Sequence, residues 1–327
     1  MVSKQEIIKI NGILTHIYRL GDSLLSSKSI VIIPGNPGLG GFYIRFAHEL
    51  YNLFNEKISI LIISQAGHSP PLEYCFTLNE QIEHKIKTIE KFLSINPNHR
   101  LILIGHSIGS YMVLNMLEKF QNQFDRAFFL FPTIERMSES NAGKRFIRWY
   151  PILIYILPFL CFIINLLLPF NWLKKKLISF YFSNSPLDDR SILIDTVLYD
   201  LLNPLTIKNI LQMANEEMSV VKKRNDQIIK RFINKITFYY GTNDHWVPND
   251  IVKQMKQIYP KGDIIQYEPN NHHYTISSQS PPLSKQDNNS LNNSNDKNST
   301  SLSASKIKWF DAVRTVKQLN QIFNNLF

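Results

Sequence analysis

The chain has 327 residues, a formal net charge of +10 and an isoelectric point near 9.4. Hydrophobic residues make up 44% and charged residues 19%, which allows a large core and leaves less charge than most soluble proteins carry. Anionic lipid is a possible partner for such a basic chain, but we find no compact Lys/Arg motif with interleaved aromatic residues, which argues against nucleic acid.

Short apolar runs alternate with helical patterns along the chain. Residues 6–18 alternate apolar and polar side chains around Asn11-Gly12, which predicts a β-hairpin. The pattern predicts strands at 29–33, 58–63, 100–104, 127–131, 236–240 and 264–267, and helices at 42–54, 78–93 and 107–120. This order is typical of a single α/β domain, residues 1–327, with a mostly parallel sheet and crossover helices.

Two segments interrupt the alternation. Residues 149–173 contain no charged side chain, and residues 277–305 are rich in serine and asparagine. The Ser/Asn-rich segment contains too little apolar surface to order itself, so we expect a disordered loop without a catalytic role. Helical spacing resumes at 309–326 and predicts a closing helix.

The cysteines and the first residues of the chain indicate the cellular compartment of the protein. Cys75 and Cys161 are far apart and make no disulfide framework. The first ten residues contain no apolar signal core. We therefore expect an intracellular protein.

A Gly-x-Ser-x-Gly pattern surrounds Ser107, where a predicted strand meets a predicted helix. Glycines on both sides of a serine let a strand and a helix pass closely, at a sharp turn that exposes the hydroxyl. The pattern therefore predicts that Ser107 is a nucleophile. The alternative is an ordinary Gly/Ser-rich connection without chemistry.

A serine hydroxyl attacks a carbonyl group well only when a base removes its proton and an acid orients that base. Asp244 follows the predicted strand 236–240, at a strand end where functional residues collect in open α/β sheets; the alternative is a turn-forming aspartate that caps the next helix. His272 is our preferred base and His273 the reserve, with exposed loop histidines as the alternative. We expect the adjacent His245 to be a loop residue.

Stabilising the oxyanion requires the backbone N–H after the nucleophile, here that of Ile108, and a second N–H from a loop after an early strand. Residues 34–38, Pro-Gly-Asn-Pro-Gly, supply that loop, and Asn36 carries an N–H where Pro37 has none. A turn without function is the alternative. The glycines do not match nucleotide-binding patterns, and the histidines lack metal-ligand spacing, so we expect no metal or other cofactor.

Four blocks of the sequence, IIPGNPGLGGFY, LIGHSIGSYM, LFPTIE and YYGTNDHWVP, resemble in this order the lipid droplet-associated hydrolase family of the α/β-hydrolase superfamily. The resemblance covers residue 30 to about residue 274. It implies the α/β-hydrolase fold and a triad of Ser107, Asp244 and His272 or His273. It also implies association with lipid droplets and the endoplasmic reticulum, with sterol esters or other neutral lipids as substrates.

The uncharged run 149–173 is long enough to span a membrane, but three prolines interrupt it and both flanks are basic. Spanning would place Ser107 and Asp244 on opposite sides of a bilayer. We therefore expect a monotopic hairpin or cap helix that enters one leaflet or the phospholipid monolayer of a droplet. The run lies in a predicted helical cap, residues 144–235, after the sixth strand. A buried core helix is the alternative.

These observations predict a serine hydrolase whose partners are a lipid ester substrate and a phospholipid monolayer or membrane surface. One alternative is a non-catalytic or weakly catalytic lipid-droplet scaffold, which the complete set of triad residues disfavours. A second is a soluble carboxylesterase or thioesterase, which the uncharged run disfavours.

Overall fold

The computed structural model describes residues 4–21, 27–71, 74–95, 97–182, 187–242 and 244–267, which form one eight-stranded sheet flanked by helices. The strands are β1 (Lys4–Ile10), β2 (Ile13–Leu20), β3 (Lys28–Ile33), β4 (Ser59–Ile63), β5 (Arg100–His106), β6 (Phe124–Leu130), β7 (Ile236–Gly241) and β8 (Asp263–Tyr267). The helices are α1 (Ile44–Leu53), α2 (Leu78–Leu93), α3 (Ile108–Met116), α4 (Asn141–Leu167), α5 (Asn171–Tyr181), α6 (Leu187–Asp195), α7 (Pro204–Val220), α8 (Asp226–Phe232) and α9 (Asn249–Ile258). Short 3-10 turns lie at Gly40–Tyr43, Met137–Glu139 and Ile233–Lys235, and a π-helical turn at Thr196–Leu201.

The strand order is β1-β2-β4-β3-β5-β6-β7-β8. Only β2 runs against its neighbours β1 and β4, so the mostly parallel α/β sheet predicted from the sequence is confirmed for the described residues. The predicted hairpin is present: Asn11 and Gly12 have φ of 46° and 89°, which a tight two-residue turn requires.

The core lies on both faces of the sheet. Val31 and Ile33 of β3 point into the cluster that contains α2, α3 and α9, and Ile30 and Ile32 point into the cluster that contains α1. Burial on both faces explains why this strand is a continuous apolar run without alternation. The helices therefore pack on both faces of the central strands and fix the positions of their carboxyl ends.

The element boundaries differ from the sequence prediction around the nucleophile motif. Strand β5 continues through His106 and α3 begins at Ile108, so Ser107 is the single residue between them. Helix α3 ends at Met116, four residues before the predicted end, and the predicted helix 42–54 is a 3-10 turn followed by α1. The Ser/Asn-rich segment 277–305 and the predicted helix 309–326 lie outside the described residues.

Between β6 and β7, the described residues 131–182 and 187–235 contain five helices, α4 to α8. Helix α4 contains Pro151 and Pro158, and by length and composition alone it could cross a membrane. Only 6% of the residues in its most apolar stretch are buried inside the protein, so the alternative of a buried core helix is wrong. The stripe of α4 that does pack on the core includes Phe146, Leu153 and Leu157.

Candidate active site

Ser107 occupies a sharp turn that two glycines make possible. Its φ of 51° and ψ of −122° lie in a region that residues with a side chain rarely adopt. A Cβ atom at Gly105 would lie 2.6 Å from the Gly109 carbonyl oxygen, and one at Gly109 would lie 2.2 Å from the Ile33 carbonyl oxygen. Ser107 is partly exposed between buried neighbours, so its hydroxyl is accessible where the surrounding chain is not.

The loop after β6 fixes the turn from one side. The Ser107 N–H donates to the Leu130 carbonyl at 2.9 Å, and the Thr133 N–H donates to the Ser107 carbonyl at 3.4 Å. The hydroxyl oxygens of Ser107 and Thr133 are 3.5 Å apart. Sequence reasoning did not single out Thr133; its place just beyond the end of a central strand was the available signal.

The loop 34–38, which we call the oxyanion loop, lies against Ser107. A Cβ atom at Gly35 would be 2.9 Å from both the Ser107 Cβ and the His106 carbonyl oxygen, so only glycine permits this approach. Ile108 is the first residue of α3, and its N–H has no acceptor within the helix. The structure therefore brings both predicted donor segments, at Ile108 and Asn36, next to the candidate nucleophile.

Tyr43 connects the oxyanion loop to the strand that carries the serine. Its hydroxyl accepts from the Gly35 N–H at 2.9 Å and lies 2.6 Å from Nδ1 of His106. Burial lowers the pKa of His106 to about 3, so the ring is neutral, and its Nδ1 can accept a hydrogen bond from the Tyr43 hydroxyl. Although His106 precedes Ser107 in the chain, its ring is buried and contacts Tyr43 through Nδ1.

Two side chains from the segment after β4 hold the same loop. Gln65 Nε2 donates to the Pro34 carbonyl at 2.8 Å, and His68 Nδ1 lies 2.6 Å from the Pro37 carbonyl oxygen, to which it donates. His68 is fully buried, and burial lowers its pKa to about 4. These bonds hold the loop in one position beside Ser107.

Asp244 lies in the loop that follows β7. Its Oδ1 accepts from the Trp246 N–H at 2.8 Å. Burial raises the pKa of this carboxyl group to about 6, although hydrogen bonds from the N–H groups of Trp246 and Val247 act in the opposite direction. Asp244 does not cap α9, whose N-cap is Pro248, but its carboxylate closes a local turn on the Trp246 N–H, so the turn-forming part of the alternative is present and the catalytic role stays a prediction. His245 is an exposed loop residue, as predicted.

The strands β5, β6 and β7 are consecutive neighbours in the sheet and are parallel. Ser107 follows β5 and Asp244 follows β7, so the two side chains come from the same edge of the sheet, with the end of β6 between them. Phe131, at the end of β6, packs its ring edge-on against His106, 6.1 Å between ring centres. His272 and His273 lie outside the described residues, so the identity of the base stays a prediction.

Comparisons with known proteins agree with this architecture. Residues 26–275 match the protein family described as lipid-droplet associated hydrolase. A lipid droplet-associated hydrolase of Mus musculus is 35% identical over 282 residues, which covers 79% of this chain and 82% of the relative.

Among solved structures, the haloalkane dehalogenase DatA of Agrobacterium tumefaciens C58 has a TM-score of 0.54 at 14% identity, covering 81% of this chain and 87% of that one. An esterase from Exiguobacterium antarcticum has a TM-score of 0.53 at 11% identity, covering 82% and 91%. At such identities the structures show the fold alone, and they confirm the predicted α/β-hydrolase fold.

Proposed function

Because the chain belongs to the lipid droplet-associated hydrolase family, we propose that it is a serine ester hydrolase that cleaves lipid esters at a lipid surface. The observation that carries this proposal is the conformation of Ser107. A strained residue persists only where the surrounding structure holds it, and such residues cluster at functional sites. Here two glycines and the oxyanion loop enclose the one partly exposed hydroxyl of the turn.

In the proposed mechanism, Oγ of Ser107 attacks the carbonyl carbon of the ester while the imidazole of His272, or of His273 in reserve, takes the hydroxyl proton. The N–H groups of Ile108 and Asn36 donate to the oxyanion that forms, and each such donor contributes about 10²–10³ in rate. The imidazolium then protonates the departing alcohol. Water, activated by the same imidazole, hydrolyses the acyl-serine and restores the hydroxyl group.

Asp244 has a supporting role in this proposal. Its carboxylate accepts from the second ring nitrogen of the base, fixes the tautomer of the ring and stabilises the imidazolium. With a pKa of about 6, the Asp244 carboxyl group is mostly ionised at pH 7 and can serve in this way. Protonation at lower pH removes the acceptor.

The exposed apolar side chains of α4 and α5, which we call the apolar face, support a lipid surface as the partner. Tyr155, Leu167 and Phe180 are 76%, 72% and 84% exposed. Contiguous apolar surface of this kind is rare on monomeric soluble proteins and marks sites of association. Exposed basic residues at the start of α4, among them Arg145 and Arg148, add attraction to anionic head groups.

A polar contact fixes α5 to the end of α4. Lys174 is buried, and its Nζ donates to Asn165 Oδ1 at 2.8 Å. Asn165 Nδ2 in turn donates to the Leu202 carbonyl at 3.0 Å. Since α5 reaches back to α4 in this way, the two helices support the proposed monotopic hairpin that enters one leaflet or a droplet monolayer. The same proposal includes the endoplasmic reticulum membrane as a second location.

The proposal is tested by measuring hydrolysis of a sterol ester and a triacylglycerol, each emulsified under a phospholipid monolayer, beside a short water-soluble ester. Ser107→Ala should lower the rate on all esters by about 10³-fold or more, because the nucleophile and its base act as a unit. Ser219→Ala is the matched control, since Ser219 is an exposed serine on α7. Equal rates for wild type and Ser107→Ala would refute the mechanism. Binding to the emulsion without hydrolysis by wild type would favour the scaffold, and hydrolysis of the soluble ester alone would favour the soluble esterase.

A further inference from the structure

Glu217 is an acidic side chain in the protein interior, where it meets the oxyanion loop. It lies near the end of α7 and is 3% exposed. Its Oε1 accepts from Asn36 Nδ2 at 3.1 Å, and the same Nδ2 donates to the Ile210 carbonyl at 3.0 Å. The side chain of the residue proposed to stabilise the oxyanion is therefore held by one helix, α7, at two points.

We propose that Glu217 is a positioning residue for the reaction: it holds the amide of Asn36 on α7, so that the backbone N–H of Asn36 points at the charge that develops on the substrate. This inference rests on the proposed function. Glu217 acts through Asn36 and touches no reacting atom.

The other contacts of the oxyanion loop come from a different part of the chain. Tyr43, Gln65 and His68 bind the loop at the residues before and after Asn36, and all three precede β5. Asn36 is held instead from α7, which lies between β6 and β7. Since the amide and the N–H belong to the same residue, anchoring the amide limits rotation of the peptide group. A displacement of about 1 Å in such a group can cost about 10²-fold in rate.

The charge state of Glu217 suits this role. Burial raises its pKa to about 8; the hydrogen bond from Asn36 lowers it, and the neighbouring carboxylate of Glu216 raises it further. Among the described residues, Glu216 is the charged neighbour that contributes to the raised pKa of Glu217. At pH 7 the Glu217 carboxyl group is therefore mostly protonated, and in that form it anchors Asn36 without placing a negative charge beside the oxyanion.

The test uses three variants of the full chain and steady-state kinetics on an emulsified lipid ester. Glu217→Leu keeps the approximate volume and removes the acceptor, and Asn36→Ala removes the anchored amide but keeps the N–H. Each should lower kcat by about 10-fold to 100-fold with little change in KM. Glu217→Gln retains a carbonyl acceptor and should recover most of kcat. The matched control is Ser219→Ala on the same helix, because the exposed Ser219 hydroxyl bonds to the Glu216 carbonyl and not to the loop.

A double-mutant cycle separates positioning from general support of the fold. If Glu217 acts through Asn36, the double variant should lose no more kcat than either single variant. In addition, kcat of wild type should fall as the pH rises through about 8, where Glu217 ionises, and kcat of Glu217→Gln should not. If Glu217 served only to pack the interior, neither the loss of kcat in the double variant nor the pH dependence of kcat would follow this pattern.

Three results would overturn the inference: wild-type kcat in Glu217→Leu, losses that add in the double variant, or an effect confined to KM. Should Glu217→Leu fail to fold, as judged by thermal unfolding, Asn36→Ala decides alone, and wild-type kcat there overturns the proposal. A folded wild type without hydrolysis would remove the proposed function and this inference together. An active wild type that is indifferent to Asn36 and Glu217 would remove the inference only.

Discussion

Replacing Ser107 by glycine should stabilise the folded protein relative to Ser107→Ala, although both variants lose the hydroxyl. With φ of 51° and ψ of −122°, Ser107 carries a Cβ atom in a backbone conformation that glycine adopts freely. Such a residue costs about 1–3 kcal/mol. Glycine recovers that cost but adds about 0.5–1 kcal/mol of backbone entropy to the unfolded chain. The expected net gain over alanine is about 1 kcal/mol.

Urea unfolding at 25 °C measures this difference, because ΔG in water follows from the midpoint and the slope of the transition. Ser107→Ala keeps the Cβ atom and the strain, so the comparison isolates the backbone conformation from the loss of the hydroxyl. In a thermal scan the same gain should raise Tm by roughly 1–2 °C, because the unfolding entropy of a chain of this length is large. Should Ser107→Gly be no more stable than Ser107→Ala, the turn stores no strain, and the argument from backbone conformation to function is wrong.

Three further predictions concern stability, attachment and the base. Burial raises the pKa of Glu217 from 4.5 to about 8, so between these values its carboxyl group is ionised in the unfolded chain and protonated in the folded one. The contribution of Glu217 to the unfolding free energy, measured as the difference between wild type and Glu217→Gln, should therefore fall with rising pH by up to about 1.4 kcal/mol per pH unit and level off above about 8. Replacing four exposed apolar residues of α4 by serine should release the protein from a phospholipid-coated emulsion in a flotation assay, since each buried apolar side chain contributes about 1.5–3 kcal/mol. Ile95→Ser, at an exposed residue outside the apolar face, should leave the protein attached. The four residues are Tyr155, Phe159, Leu166 and Leu167. His272→Ala should abolish ester hydrolysis and His273→Ala should largely spare it; the reverse would move the base to His273, and activity in both variants would remove the triad.

The fold was predictable because the sheet is built from strands that are apolar in sequence and buried in the structure. Strand β3 is a run of β-branched residues buried on both faces, and α2 begins and ends where its apolar spacing does. The boundary at Ser107 was less predictable, since periodicity reports burial and not backbone dihedral angles. There a single residue with positive φ ends one element and precedes the next.

The residues of the candidate site likewise fall into those that the sequence indicated and those that it did not. Ser107, Asp244 and Asn36 follow strands and carry recognisable local patterns. Tyr43, His68 and Glu217 do not, because their contacts join parts of the chain that are far apart: 181 residues separate Asn36 from Glu217. In sequence, Glu217 stands beside Glu216 on a helix and is typical of an exposed acidic pair. Only tertiary packing turns one of the two into the protein interior.

The apolar character of residues 149–173 was evident from their lack of charge, but the form of this run was not predictable. Pro151 and Pro158 lie inside one continuous helix, whereas the sequence allowed either a cap helix or a hairpin broken at the prolines. The turn comes later, after Leu167, where Lys174 and Asn165 bind each other.

The central claim, that Ser107 is a nucleophile, is tested most directly by treating the folded protein with a fluorophosphonate, which forms a stable adduct with activated serines. Intact mass should show one adduct per chain, and peptide mapping should place it on Ser107. Ser107→Ala, folded to the same extent by circular dichroism, should acquire none. An adduct on another residue, or a folded wild type that remains unlabelled, would contradict the account.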